Sequence, residues 1–287
     1  MVYLKSFDLL DYVAERNINW GISKINTTTY PLGIFPPKEF RSISFETITC
    51  FYGGNGSGKT TLLNIIADKL HASRKSLIDK GNVFETYVRT CNCEMGFESP
   101  LEIKVISSDD VFDYLLDIRS INTNVNRRKI ELSKEYLNNK YNPNGDTFEN
   151  YDNLKNVWDA KNNTMSKYVR QRLNNNTMME YSNGESSLMF WEQEIKENGI
   201  YILDEPENSL SAENQLKLKQ FIEESARFYN CQFIISTHSP FLLDLKDAKI
   251  YDLDSVPVSA KKYNELPNIK LYYDFFKERE HLFKNKN

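Results

Sequence analysis

A glycine-rich stretch in the first quarter of the chain carries residue types and a spacing that suit phosphate binding. Gly53–Thr61 reads GGNGSGKTT, and its first eight residues fit the pattern G-x-x-x-x-G-K-T. Glycines let the backbone wrap a phosphate group with successive N–H groups pointing inward, and a helix that begins there adds positive potential. The loop therefore predicts ATP binding, with Lys59 on the β- and γ-phosphates and the Thr60 hydroxyl on Mg²⁺. The candidate nucleotide contacts are Gly53, Gly54, Asn55, Gly56, Ser57, Gly58, Lys59, Thr60 and Thr61.

Two acidic residues follow an apolar run much later in the chain. Asp204 and Glu205 come directly after GIYIL and are followed by Pro206, which should end the strand. In open α/β sheets, ligands bind at the carboxyl ends of the strands. We expect Asp204 to hold the Mg²⁺ shell and Glu205 to polarise the attacking water. Acids that merely mark a strand end are the alternative, which the co-occurring phosphate loop disfavours.

Two further segments offer polar groups that a nucleotide could use. The segment EYSNGESS at 180–187 opens a predicted helix, and its Ser182 and Glu185 fit an S-x-x-E capping box. Taken alone it favours a helix cap, although a helix N-terminus is also an anion site. His238 follows the predicted strand CQFIIS, where a packed or capping histidine is the alternative to a phosphate contact.

The surrounding pattern indicates how the chain positions these groups. Strands are predicted around Thr47, and apolar residues spaced along Lys59–Leu70 predict a helix that begins at the glycine loop. Residues 1–50 are expected to form strands and turns, and Val83–Glu98 and Leu101–Ile106 an antiparallel pair. From Glu180 onward, helices alternate with buried strands, which is typical of a parallel sheet covered by helices.

Residues 110–180 are predicted to be helical, polar and basic. Between Arg119 and Thr177 there are eleven Lys and Arg against six Asp and Glu, a local balance of +5. A solvated helical surface and a basic docking face both account for this stretch.

Composition limits the class of protein. The chain has 287 residues, 40% hydrophobic and 26% charged, with a formal net charge of −4, so it resembles an ordinary globular protein rather than a basic nucleic-acid binder. No run approaches the ~20 apolar residues of a membrane helix. The first residues lack the features of a secretion signal, so we expect a cytoplasmic protein. Cys91 and Cys93 are interpreted as small apolar residues on one strand face, with a metal site as the alternative.

The order of these motifs resembles that of the ABC ATPase family. The strings DEPENSLS and ISTHSPFLL are similar to those of the branch that includes RecF and OLD-family ATPases, whereas transporter ATPases usually carry DEPTSALD. The resemblance implies an α/β P-loop NTPase fold of the ABC ATPase type, in which a mixed β-sheet core is joined by an antiparallel β subdomain. It also implies a single domain over 1–287, with a small helical subdomain inserted at 110–180.

The resemblance assigns roles to further residues. In the family, the signature presents a serine hydroxyl and backbone N–H groups to the γ-phosphate of ATP held by a second subunit. Here those positions are Ser182, Gly184 and Glu185, and His238 matches the histidine that contacts the γ-phosphate. The implied catalytic set is Glu205, His238 and Lys59.

Three departures from the family pattern stand out. The signature reads Ser-Asn-Gly-Glu instead of Ser-Gly-Gly-Gln, and Ser211 stands where many relatives have an aspartate. No glutamine occurs between Thr61 and Arg170, so the family's glutamine that contacts Mg²⁺ and water is missing. Ser108 or Asp109, which follow the strand Leu101–Ile106, are the proposed substitutes. Thr60, Asp204 and Asp109 are therefore the candidate metal ligands.

The implied function is an ATPase that forms an ATP-gated, head-to-tail homodimer and controls a partner effector in DNA maintenance or phage defence. The partner protein is not identified by the sequence, and DNA is a further candidate partner. Two alternatives stay open: the ATP-binding subunit of a transporter, and a nucleotide-sensing regulator that turns ATP over slowly.

Overall fold

The computed structural model describes residues 1–21, 29–75, 81–141, 151–173, 183–208 and 210–283. The chain divides into two compact units. The first comprises Met1–Phe112 together with Ser187–Asn287, and the second comprises Asp113–Ser186.

The first unit is built on a six-stranded mixed sheet. Its strands lie in the order β5-β6-β7-β3-β8-β9, and all neighbours are parallel except β8 and β9. Every residue of β3 and β7 is buried, as expected for parallel strands covered on both faces. These strands are β3 (Ile48–Tyr52), β5 (Glu102–Ser107), β6 (Gly199–Asp204), β7 (Gln232–Ser236), β8 (Lys249–Asp252) and β9 (Ser259–Lys261).

The register of the sheet brings the ends of four strands into one line. Ser107 of β5 pairs with Asp204 of β6, which pairs with Ser236 of β7, and Ser236 pairs with Phe51 of β3. The segments that leave these strands are the phosphate loop, the acidic pair and the histidine turn. Parallel pairing therefore places the three sequence motifs at one edge of the sheet.

A second sheet in this unit has three antiparallel strands in the order β2-β1-β4. They are β1 (Leu4–Asp8), β2 (Ser42–Ser44) and β4 (Asn92–Met95). The expected antiparallel pairing of Val83–Glu98 with Leu101–Ile106 is wrong, because β4 pairs with β1 whereas β5 pairs with β6 in the other sheet.

Two segments predicted as strands or turns are helices. Asn82–Thr90 forms α3, whose buried residues Val83, Phe84, Tyr87 and Val88 recur at helical spacing rather than alternating. Tyr12–Gly21 forms α1, and the Ala14 N–H donates to Asp11 Oδ1 at its start, 2.9 Å away, which is a cap that the strand prediction overlooked.

The predicted helices that follow the glycine loop and flank the late strands are present. They are α2 (Lys59–Lys69), α7 (Asn183–Glu194) and α8 (Ala212–Phe228). The α/β fold class with a mixed sheet and a separate antiparallel sheet is confirmed. The C-terminal segment adds α9 (Pro267–Glu278) and α10 (Glu280–Phe283).

The second unit is helical throughout its described part. It contains most of α4 (Ser108–Tyr141), together with α5 (Tyr151–Asn162) and α6 (Met165–Arg172). Tyr136, Ala160 and Tyr168 form its small core, and Arg172 pairs with Asp159 at 2.9 Å. Among the described helices of the whole chain, none has both the length and the apolar character to cross a bilayer.

Candidate functional site

The glycine loop connects β3 to α2 in a conformation that requires glycine. Gly58 has φ +98°, and a Cβ there would lie 3.0 Å from Ile34 Cγ2. An L side chain rarely adopts this backbone conformation, so a substitution at Gly58 would strain the backbone and push the Ile34 side chain aside. Helix α2 starts at the next residue, so its unpaired N–H groups and positive dipole end face the loop. This concavity suits the phosphates of a nucleotide.

Lys59 is a buried cation at the centre of the site. Its side chain is 5% exposed, and Nζ donates to the Gly53 carbonyl at 2.8 Å and to the Gly54 carbonyl at 3.2 Å. The same Nζ lies 2.8 Å from His238 Nε2 and 3.7 Å from Glu205 Oε1. The structure thus brings the three predicted catalytic residues together.

Asp204 lies at the end of β6 with hydroxyl groups on both sides. Its Oδ1 accepts from Thr60 Oγ1 at 3.3 Å and from Ser236 Oγ through a short hydrogen bond. Burial raises the pKa of Asp204, while these two hydroxyls oppose the rise and the neighbouring Glu205 charge adds to it. A desolvated carboxylate beside a threonine hydroxyl is a donor set that fits a hard, oxygen-seeking cation such as Mg²⁺.

Glu205 is held in a conformation that non-glycine residues seldom adopt. Its φ is +48°, and its N–H donates to the Ser236 carbonyl at 3.1 Å. Oε1 lies 3.2 Å from His238 Nε2, and Oε2 accepts from Asn208 Nδ2 at 3.0 Å. Such strained positions occur at functional sites, where the surrounding contacts enforce them. The result is a partly exposed carboxylate beside Lys59 and His238.

Two residues form hydrogen bonds with the backbone of the phosphate loop and were not identified from the sequence. Lys38 Nζ donates to the Ser57 carbonyl at 2.6 Å and to the Leu253 carbonyl at 2.7 Å. Asp254 Oδ2 accepts from the Gly54 N–H at 2.6 Å. Burial lowers the pKa of Lys38, and the Asp254 charge opposes that shift. Lys38 and Asp254 carry no motif and lie far from the loop in sequence, so only the fold reveals them.

The segment that follows β5, where the sequence led us to expect a substitute for the family's glutamine, carries a serine–aspartate pair. Asp110 is 7% exposed, and its Oδ2 accepts from the Ser107 N–H at 2.8 Å and from Ser107 Oγ at 2.9 Å. Asp109 lies in the same first turn of α4 but is exposed. Its proposed role as a metal ligand stays a prediction. Ser107, which pairs with Asp204 in the sheet, was not singled out from the sequence.

The other residues that the sequence predicted to contact the nucleotide do not join the cluster of Lys59, Glu205 and His238. Thr61 Oγ1 accepts a hydrogen bond from the Tyr30 hydroxyl at 3.1 Å. Asn55 and Gly56 form the exposed tip of the loop. Ser182 lies outside the described residues. Gly184 and Glu185 lie in the first turn of α7, and the side chain of Glu185 is not described. No group of three or more potential metal-ligating His, Cys, Asp or Glu side chains occurs in the described part of the chain.

Comparison with known proteins gives two family matches. Residues 41–208 match a family model described as "ABC transporter", and residues 186–243 match one described as "AAA ATPase domain". No curated protein matches the chain.

The solved structures that match the chain include two SMC head domains. The SMC head domain from Thermotoga maritima is 14% identical, with 91% of this chain and 98% of that chain covered and a TM-score of 0.36. The Smc head domain with an extended coiled coil, bound to the C-terminal domain of ScpA and derived from Pyrococcus furiosus, is 12% identical. The match covers 96% of this chain and 100% of that chain, with a TM-score of 0.40.

Proposed function

This chain belongs to the ABC ATPase family, and from that premise we propose that it binds ATP with Mg²⁺ and hydrolyses the γ-phosphate bond. The family match establishes an ATP-binding domain. Hydrolysis is supported chiefly by one observation, the convergence of Lys59 Nζ, His238 Nε2 and Glu205 Oε1 within 2.8–3.7 Å of one another at the end of the glycine loop.

Each group has a distinct chemical task in the proposed reaction. The N–H groups of the glycine loop and Lys59 hold the phosphates, and Thr60 with Asp204 would hold Mg²⁺, which neutralises phosphate charge when bound. Glu205 orients a water molecule and accepts its proton as the water attacks the γ-phosphorus. His238 donates a hydrogen bond to a γ-phosphate oxygen, where negative charge develops.

The first test separates binding from turnover. Glu205→Gln keeps the shape and hydrogen-bonding reach of the side chain but removes the base. We expect phosphate release to fall by about 10²–10⁴-fold while ATP affinity stays within about threefold of wild type. Glu213→Gln is the matched control, because Glu213 lies on α8 with a side chain that is 78% exposed. Equal turnover in wild type and Glu205→Gln would exclude Glu205 as the base.

We further propose that the ATP-bound form is a head-to-tail homodimer. In it, Ser182, Gly184 and Glu185 of one subunit would complete the phosphate site of the other. The resemblance of EYSNGESS to the family signature and the exposed tip of the glycine loop support this. Glu205→Gln should elute as a dimer in gel filtration with ATP and as a monomer with ADP. A monomer at saturating ATP contradicts the scheme.

For the biological role, we propose control of an effector protein in DNA maintenance or phage defence in the cytoplasm. The DEPENSLS and ISTHSPFLL strings support this branch over a transporter subunit. The basic 119–177 stretch is the proposed docking face for DNA or the effector. Stimulation of phosphate release by duplex DNA, with steep loss as salt rises, is the expected result if DNA binds. Recovery of a membrane protein with the tagged chain would favour the transporter alternative.

A further inference from the structure

A buried carboxylate lies between the acidic pair and the histidine turn. Glu207 is 8% exposed and follows β6 by three residues. Its Oε1 accepts three hydrogen bonds: from Thr237 Oγ1 at 2.6 Å, from the His238 N–H at 2.7 Å and from the Ser239 N–H at 3.1 Å. One oxygen of one side chain therefore holds three consecutive residues of the turn that leaves β7.

These bonds are of the strong, charge-assisted kind. A carboxylate that accepts from N–H and O–H donors in a buried setting forms short bonds, and two of the three distances here are below 2.8 Å. The donors include two consecutive backbone N–H groups, so the contact fixes the path of the main chain as well as a side chain. Loss of the Glu207 acceptor should therefore change the orientation of the His238 backbone.

The far side of the same turn is held independently of Glu207. Ser239 Oγ donates to Gln215 Oε1 on α8 at 2.7 Å, and Gln215 Nε2 donates to the Leu210 carbonyl at 3.0 Å. With the turn attached to α8 in this way, loss of Glu207 should tilt the histidine without releasing the whole segment.

The hydrogen bonds of Glu207 and Gln215 to the turn fix the position of the His238 imidazole. His238 Nε2 lies 2.8 Å from Lys59 Nζ and 3.2 Å from Glu205 Oε1, and its side chain is 32% exposed. On an unrestrained turn, a partly exposed imidazole would adopt several orientations. A turn that is held at both ends by hydrogen bonds allows fewer of them. Glu207 and Glu205 also belong to one short segment, in which the Asn208 N–H donates to the Glu205 carbonyl at 3.1 Å.

We propose that Glu207 is the positioning residue for His238: its buried carboxylate holds the Thr237–Ser239 turn so that the imidazole faces Lys59, Glu205 and the γ-phosphate. This rests on the proposed ATPase function and deepens it. It also links two strings that look separate in the sequence, because Glu207, the last residue of DEPE, is the acceptor for the donors of STHS.

The second oxygen of Glu207 makes a clean conservative substitution available. Oε2 is buried and has no hydrogen-bond partner among the described residues. Glu207→Gln keeps a carbonyl oxygen for the three donors and places its amide at the Oε2 position, where a buried donor without a described acceptor should lower the stability of the fold. Glu207→Ala removes the acceptor entirely and leaves three donors without it. The two variants separate loss of the contact from loss of the charge.

Turnover kinetics test the proposal on the full-length protein. We expect Glu207→Ala to lower kcat about 10²-fold with ATP affinity unchanged within about threefold, since small misplacements of a reacting group have effects of that size. Glu207→Gln should recover most of that loss. If Glu207 acts through His238, adding Glu207→Ala to His238→Ala should lower kcat no further than His238→Ala alone. Losses that multiply in the double variant would overturn the proposal.

A second measurement does not depend on hydrolysis. Amide hydrogen exchange of the peptide that contains His238 and Ser239 reports directly on the two N–H groups that Glu207 accepts. We expect faster exchange there in Glu207→Ala and slow exchange in Glu207→Gln. If Glu207→Ala does not fold, Thr237→Val takes its place: it removes the hydroxyl that donates to Glu207 and accepts from the Ser239 N–H, and exchange should again be faster than in Glu207→Gln. If exchange in Glu207→Ala equals that of wild type, the positioning role is refuted even if the protein hydrolyses ATP. If wild type does not hydrolyse ATP but exchange is faster in Glu207→Ala, only the proposed function is refuted.

Discussion

Gly53→Ala should disrupt the phosphate loop while its neighbour tolerates the same change. Gly53 has φ +158°, and a Cβ there would lie 2.7 Å from Ser57 Oγ and 2.9 Å from Ser57 Cβ. Ser57 is 5% exposed and has a short side chain, so it has little room to move away. Backbone strain contributes about 1–3 kcal/mol and overpacking about as much again. A destabilisation of about 3 kcal/mol should lower the Tm by on the order of 10 °C.

The assay compares adjacent glycines by thermal melting and by binding of a fluorescent ATP analogue. At Gly54 the nearest atom to an added Cβ is Asp254 Oδ2 at 3.5 Å, which is ordinary contact. We expect Gly54→Ala to melt within about 2 °C of wild type. Gly53→Ala should also lose ATP affinity by at least about tenfold, because a displaced loop no longer presents its N–H groups to the phosphates. Equal melting temperatures of the two variants would show that a Cβ at Gly53 does not clash with Ser57.

Three further changes probe the site. Asp204→Asn should melt higher than wild type without nucleotide at neutral pH. Burial raises the folded-state pKa of Asp204, so the stability it contributes is present below its unfolded value near 3.8 and is lost as pH rises through the folded value. The gain should therefore disappear below about pH 3.8, where the carboxyl is protonated in both states, and Mg²⁺ should no longer strengthen ATP binding. Lys38→Met should weaken ATP binding about tenfold in titration calorimetry, because the Ser57 and Leu253 carbonyls lose their shared donor; Lys217→Met, at an exposed position, is the control. Asp109→Ala should raise the Mg²⁺ concentration for half-maximal turnover without changing the Tm, and unchanged Mg²⁺ dependence removes Asp109 from the site.

The centre of the site was predictable because its parts sit at the ends of parallel strands. Gly53, Asp204 and His238 each follow a buried apolar run, and carboxyl ends of parallel strands meet at one edge. The motifs and the strands that precede them were therefore enough to predict that Lys59 and Glu205 lie close together.

The supporting contacts were not predictable for an equally physical reason. Lys38 and Asp254 meet the loop through tertiary contacts between residues far apart in sequence, and no periodicity marks them. The strand prediction for Val83–Val88 failed because it relied on β-branched and aromatic residue types, whereas the spacing of the four apolar or aromatic residues is helical. The buried acceptor role of Glu207 was likewise invisible, since it depends on the path of the turn after β7.

The proposed γ-phosphate site of Lys59, Glu205 and His238 can be seen in a structure of Glu205→Gln crystallised with ATP and Mg²⁺. We expect the γ-phosphate within hydrogen-bond distance of Lys59 Nζ and His238 Nε2, with Mg²⁺ at the Thr60 hydroxyl beside Asp204. Lys59 Nζ should then have exchanged its contact with the Gly53 carbonyl for phosphate oxygens. A bound nucleotide whose γ-phosphate lies away from Lys59 and His238 would contradict the proposed site.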